Sequence, residues 1–346
     1  LPGGSSQQWS EWEIELLEGG TPKLLKAAHK LLRGAGGREP SSASKLARAI
    51  GSTPAVTPPA TLGRHPSALE LVIADVTRHR NSLIAWDPLV REDADDAVHQ
   101  MRVTARRMRS VFSGFPTVLD AARTDHIAGE LKLLARILGD ARDSEVQLEI
   151  DSALLRDEVA SETLVNALAG KESAAHDRAV AATHAAMNSE RYFRLLDAID
   201  ELIADPPAGP DADLPATTAV DKAITKSRKH IRKSQRELAE LTEGSHEWSE
   251  QLHTIRKRAK RLRYSTDAAE PLQKKKYKKI SQTAKELQSA LGDYNDSRIN
   301  RARLAELAAS GELSGLDLFV LGRIDAREQA NGEQAIAAYR KASKDL

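Results

Sequence analysis

The chain has no cysteine among its 346 residues. That excludes disulfide frameworks, thiolate zinc sites, iron–sulfur ligation and cysteine nucleophiles. Aromatic residues make up 4%, poor material for stacking nucleobases. No run of 18 or more residues lacks charge, so no transmembrane helix is expected. Neither a basic stretch nor an apolar core follows Leu1, and no signal peptide is expected. The chain lacks Gly-x-x-x-x-Gly-Lys-Ser/Thr, Gly-x-Gly-x-x-Gly after a strand, His-Glu-x-x-His and Gly-x-Ser-x-Gly, the usual routes to several enzyme chemistries. What is present is charge (29%) with frequent Ala and Leu. At helical spacing, that composition points to long packed helices.

The net charge of +1 conceals segregation. Four acid-free runs, His99–Arg109, Lys222–Arg236, Arg256–Arg263 and Lys274–Lys285, hold twenty-three cations and leave −22 for the rest of the chain. If the runs converge, they form a positive surface on an otherwise acidic protein.

Trp12-Glu13-Ile14-Glu15-Leu16 alternates like a strand, and Thr21-Pro22 opens a helix through about Leu32. Residues 51–66 are rich in proline and read as a linker. From Pro66 onward the spacing is helical. One helix is expected over Asp93–Phe112 and another over Leu119–Leu138, the latter stopped by Gly139 as a C-terminal cap. Residues 205–215 break the chain, and a second set of helices runs to about Ala342.

The chain repeats itself. Val98-His99-Gln100-Met101-Arg102-Val103-Thr104-Ala105-Arg106-Arg107-Met108-Arg109 returns 154 residues later as Leu252-His253-Thr254-Ile255-Arg256-Lys257-Arg258-Ala259-Lys260-Arg261-Leu262-Arg263. Leu138-Gly139-Asp140-x-x-Asp143-Ser144 returns at Leu291-Gly292-Asp293-x-x-Asp296-Ser297, an offset of 153. A repeat this long is a bundle of helices rather than a solenoid unit. The expected fold is all-α: two pseudo-twofold-related helical bundles of about four helices each, with a short N-terminal strand–helix remnant.

Residues at i, i+3, i+7 and i+10 share one helix face. His99, Arg102, Arg106 and Arg109 have this spacing, as do His253, Arg256, Lys260 and Arg263. Each copy strings its cations along about 15 Å of helix. Stacked like charges repel, so a stripe kept twice in register implies an anion to neutralise, and arginine forks suit phosphate oxygens. A solvated face would account for a single basic run, and packing roles would account for His99 and His253. Asp96-x-x-His99 and Glu250-x-x-His253 resemble halves of a metal site, but each is followed on that face by Arg, and no metal or cofactor is expected. The Leu-Gly-Asp elements read as helix stops, with Asp140, Asp143, Asp293 and Asp296 as caps or braces for arginine.

These landmarks resemble the CHAD domain, the conserved histidine α-helical domain, over residues 66–346. The resemblance implies paired helical bundles with a basic central surface that binds inorganic polyphosphate without a catalytic step. It carries His99, Arg102, Arg106, Arg109, His253, Arg256, Lys260 and Arg263 over as ligand candidates. Arg107, Lys257 and Arg261 in the same runs, Arg228 and Arg232, the repeat-related rim lysines Lys132 and Lys285, and Lys279 complete the candidate set. Residues 1–62 resemble the C-terminal end of a CYTH (triphosphate tunnel) domain with a linker, through Glu11–Leu16 and Ser44–Arg48. One strand cannot close a tunnel barrel, so no triphosphatase activity is expected of this chain. The first and second bundles are placed at 63–208 and 209–346. The alternatives are a nucleic-acid-binding helical protein and an accessory domain of a triphosphate or polyphosphate hydrolase. A cytoplasmic location, association with polyphosphate granules and no membrane partner complete the expectations.

Overall fold

The computed structural model describes residues 10, 12, 14, 21–38, 62–155, 158, 160–169, 172–272 and 275–345. The chain divides into two compact units, residues 1–58 and 59–346. In the first, α1 (Pro22–Gly34) starts as the Thr-Pro signal dictates, with Thr21 extended at the N-cap and Pro at the first turn. Most of the expected strand at 12–16, the segment 44–48 and nearly all of the proline-rich linker lie outside the described residues.

The second unit is helical. Its elements are α2 (Ala68–Arg91), α3 (Ala97–Gly114), α4 (Ala121–Leu155), α5 (Glu162–Ala169), α6 (Glu172–Met187), α7 (Glu190–Ala204), α8 (Ala216–Ala239), α9 (His246–Asp267), α10 (Lys275–Ala309) and α11 (Gly315–Ser343). No sheet occurs among the described residues, only the isolated bridges Ser67–Pro215 and Leu119–Ala208. Ser67 and Glu70 close a reciprocal capping box at the start of α2. The helix expected from Asp93 begins instead at Ala97. Asp93 (φ 51°) and Asp96 (φ 58°) both sit in the left-handed region and turn the chain before it.

The duplication is visible in the packing. Helix α3 lies between α2 and α4, α9 lies between α8 and α10, and α3 packs on α9. The buried faces repeat residue for residue: Val98, Met101, Ala105 and Met108 in one copy, Leu252, Ile255, Ala259 and Leu262 in the other. On α4, Leu134 and Leu138 match Leu287 and Leu291 on α10. All twelve belong to one continuous core spanning both halves. At roughly 1.5–3 kcal/mol per fully buried large aliphatic side chain, this shared core ties the two repeats together.

A satellite core lies elsewhere. Leu164 and Leu168 of α5 pack with Leu304 of α10 and Val320, Leu321 and Ile324 of α11. Beside it Glu158, buried, is paired with Arg327 at 2.5 Å and Arg323 at 3.4 Å. Glu158 and α5 of the first half thus grip α10 and α11 of the second.

The break at 205–215 is laced down. Gly209 N–H donates to Val118 O (2.9 Å), Asp211 N–H to Thr117 O (2.8 Å), Ala68 N–H to Leu214 O (2.7 Å) and Ala216 N–H to Pro66 O (2.9 Å). Glycine is required at 209, where a Cβ would stand 2.5 Å from Thr117 O.

Gly139 and Gly292 correct the sequence reading. Neither ends a helix: α4 runs through Gly139 and α10 through Gly292. Asp140, Asp143, Asp293 and Asp296 therefore lie inside helices rather than at the start of the next one. The reason for glycine is a close approach from the neighbouring motif helix, described next.

Candidate functional site

The apolar positions of α3 and α9 face the core, so their cationic positions line the other side. His99, Arg102, Arg106 and Arg109 on α3 are half-buried, as are His253, Arg256, Lys260 and Arg263 on α9; Lys257 and Arg261 are exposed. Because α3 packs on α9, the two stripes meet. Burial makes the charge on Arg106 costly, and Arg102, Arg256 and Arg109 add to that cost. Lys260 is pushed down to about 7 by burial, then by Arg106, Arg256, Arg102 and Arg263. Cations from both copies thus act on each other at one place.

Between the helices opens a cleft of about 480 Å³. Its walls are Arg106 and Arg109 from α3 and Lys257, Lys260 and Arg261 from α9. Phe112, Phe115 and Leu119 form its apolar lining, with Thr124 and Asp125 from α4 at one side. Among the described residues, Arg106, Arg109, Lys257, Lys260 and Arg261 form no ion pair. Arg263 is 3.5 Å from Asp267. Among the described residues the charge in the cleft is largely uncompensated, and partial desolvation makes it costly at half-buried Arg106, Arg109 and Lys260 until a counter-ion arrives.

Each motif helix also sends one arginine under the flanking helix. A Cβ on Gly139 would lie 3.3 Å from Cζ and Nη2 of Arg102, and one on Gly292 would lie 3.3 Å from Nη2 of Arg256. The glycines are seats for guanidinium planes. Burial, then Asp296, pushes the Asp293 carboxyl up, against the pull of nearby Arg256. Among the described residues, the Nε of Arg256 is buried without a hydrogen-bond partner. His253 is pushed below its ordinary range by burial and by Lys257, Arg256 and Arg298, against Glu250.

Other candidates lie elsewhere. Arg107, one residue on from Arg106, is rotated by about 100°. It lines a separate pocket of about 130 Å³ with Asp75, Arg78, His79, Tyr264 and Asp267. Lys132, Lys279 and Lys285 are exposed and do not line the cleft; Arg232 is exposed on α8, and Arg228 is half-buried there. Two residues were missed from sequence. Tyr264 is buried beneath Lys260 and Arg263, with 5.6 and 5.8 Å to its ring centre; the first copy has Ser110 there, so the repeat gave no signal. Arg258 donates to His230 O (2.5 Å) and Ser234 Oγ (2.6 Å), fastening α9 to α8. No group of three or more His, Asp or Glu could hold a metal ion among the described residues. None of the described helices is long and apolar enough to cross a membrane.

A duplicated all-α protein whose two copies press cationic helix faces into one cleft defines the class. The chain belongs to the CHAD domain family, whose model matches residues 74–305. It is similar to two uncharacterized proteins of Mycobacterium tuberculosis, MT2285 of strain CDC 1551 and Rv2226 of strain H37Rv. Each is 36% identical over 358 residues, covering 99% of this chain and 66% of the relative. The chain thus spans just under two-thirds of the length of these relatives. In fold it is similar to PptA from Streptomyces chartreusis (TM-score 0.64, 19% identity, 80% of this chain and 99% of that one). It is also similar to the CHAD domain from the plant Ricinus communis (TM-score 0.61, 21% identity, 85% and 97%).

Proposed function

We propose that this chain is a receptor for inorganic polyphosphate, which it holds in the seam between α3 and α9 without cleaving it. The observation carrying this reading is the convergence of Arg106 and Arg109 with Lys257, Lys260 and Arg261 in one cleft, unpaired by carboxylates among the described residues. Polyphosphate has about one negative charge per phosphate and no bases. It suits a cleft that offers guanidinium forks and whose aromatic rings, Phe112 and Phe115, are buried. Exposed rings are what a single-stranded nucleic acid would need, and this favours polyphosphate over the nucleic-acid reading. His99, Arg102, His253, Arg256 and Arg263 extend the track along both helices. Arg228, Arg232, Lys132, Lys279 and Lys285 act as a long-range rim, and Arg107 contributes only its field.

In this reading, residues 63–208 and 209–346 are the two binding repeats, and 1–62 is the end of a CYTH-like domain in a longer protein. The protein works in the cytoplasm, at polyphosphate granules. The test is calorimetric titration with long-chain polyphosphate at two salt concentrations beside a duplex DNA control. Tight, salt-sensitive binding to polyphosphate alone is expected. Equal binding to DNA, or none to polyphosphate, overturns the reading. Phosphate release with magnesium or manganese overturns the non-catalytic part.

A further inference from the structure

Several lysines of this protein meet a carboxylate. Lys276 is 2.7 Å from Asp221, Lys222 is 3.4 Å from Asp211 and Lys233 is 3.7 Å from Glu237. Lys260 differs: among the described residues it forms no ion pair, and its amine lies 5.6 Å from the Tyr264 ring centre. The charges around it are Arg102 and Arg106 from α3, and Arg256 and Arg263 from its own helix. Lys257 and Arg261 share its wall of the cleft, and among the described residues the one carboxyl lining the cleft is Asp125 of α4. Burial and these cations hold the amine down to about 7, so at neutral pH much of it carries a free electron pair. Desolvation beside other cations is a recognised way to make a lysine nucleophilic, and guanidiniums within the same cleft offer docking for a phosphoryl group.

We propose that Lys260 is an acyl-acceptor site for small acyl phosphates, whose phosphoryl group docks on Arg106, Arg109 and Arg261. The Nζ of Lys260 attacks the carbonyl carbon. The new bond is N–C, and the bond that breaks is the one from carbonyl carbon to the bridging phosphate oxygen. The amine proton leaves with the phosphate as hydrogen phosphate, and nothing is oxidised or reduced. The product is a neutral amide at the centre of the cleft, which lowers the positive charge there and loosens the hold on a polyanion. The docking half of this inference rests on the phosphate-binding reading above; the reactivity of the amine does not.

The experiment treats the full chain with acetyl phosphate at neutral pH, maps acetylated lysines by mass spectrometry and repeats the reaction with long-chain polyphosphate present. Lys260 should react roughly tenfold to a hundredfold faster than exposed Lys279 or Lys285. That range follows from its larger neutral fraction, discounted for the lower nucleophilicity of a weaker base. Polyphosphate should suppress the reaction, and Lys260→Arg should remove the label. Labelling that follows exposure, with Lys279 and Lys285 ahead, overturns the proposal. A phosphate-free acetyl ester showing the same preference overturns the docking. The two readings separate cleanly. Preferential labelling of Lys260 in a protein that calorimetry shows not to bind polyphosphate leaves the acyl-acceptor site standing and removes the polyphosphate reading. Polyphosphate binding with Lys260 unlabelled does the reverse.

Discussion

Nη2 of Arg256 stands 3.3 Å from the point where a Cβ on Gly292 would be. The same relation holds between Arg102 and Gly139 in the other repeat, so each Leu-Gly-Asp element supports one motif arginine from below.

Replacing Gly139 or Gly292 by Ala separates stability from binding. Alanine in a helix interior is favoured over glycine by about 1 kcal/mol, and only the guanidinium must yield, by a few tenths of an ångström. Thermal unfolding should occur at an unchanged or slightly higher temperature. Polyphosphate affinity should fall by roughly threefold to tenfold, for a charge-assisted hydrogen bond moved off its best geometry. A destabilised variant with full affinity would contradict the seat.

Charge reversal at both Arg102 and Arg256 should remove most of the binding, at least about a hundredfold, since charge-assisted hydrogen bonds contribute about 1.5–3 kcal/mol each. The slope of log affinity against log salt should flatten by about one unit per lost phosphate contact. Circular dichroism checks that the helices remain. Affinity left intact would sink the central-seam reading.

His79 gives the fold an acid limit. It is buried on α2 beside Asp75, which is also ion-paired with Arg78. Burial, Arg78 and Arg107 hold it down to about 4 against Asp75 and Asp267, from 6.5 in the unfolded chain. Between these values the unfolded state binds the extra proton, so stability falls as pH drops from about 6.5 towards 4, by at most roughly 1.4 kcal/mol per pH unit. Melting temperatures across that window should decline, and His79→Gln should flatten the decline.

Lys260 works in the opposite range. Its folded value of about 7 lies below the ordinary 10.5, so the unfolded chain holds more protons between the two, and stability rises with pH across that window. Lys260→Met should raise the melting temperature at neutral pH and below, with the gain shrinking towards pH 10. A long polyanion, with about one charge per phosphate, reverses the local field that a single phosphoryl group only partly offsets, so polyphosphate binding near neutral pH should take up protons. Titrations in buffers of different ionisation enthalpy would measure that uptake.

The all-α fold and the convergent stripes were legible in sequence because duplication writes each twice: Met101 and Ile255 in the core, Arg106 and Lys260 in the cleft. Gly139 was not, because a glycine stopping a helix and a glycine admitting a guanidinium look alike along the chain. Arg107 was grouped with Arg106 because a basic run has no direction in one dimension, whereas a single helical step turns it into another pocket. The grip of α5 on α10 and α11 joins residues such as Leu168 and Arg303, 135 apart, and no local pattern announces such a pairing.

The connection between the repeats is hydrogen-bonded to the start of α2 and to the turn before α4. Fastened on both sides, the connection draws the start of the second half against the first, and α3 and α9 meet with no ligand between them. If the chain takes polyphosphate as proposed, a cleft formed in advance leaves most of the loss of conformational freedom to the polymer that must take its shape.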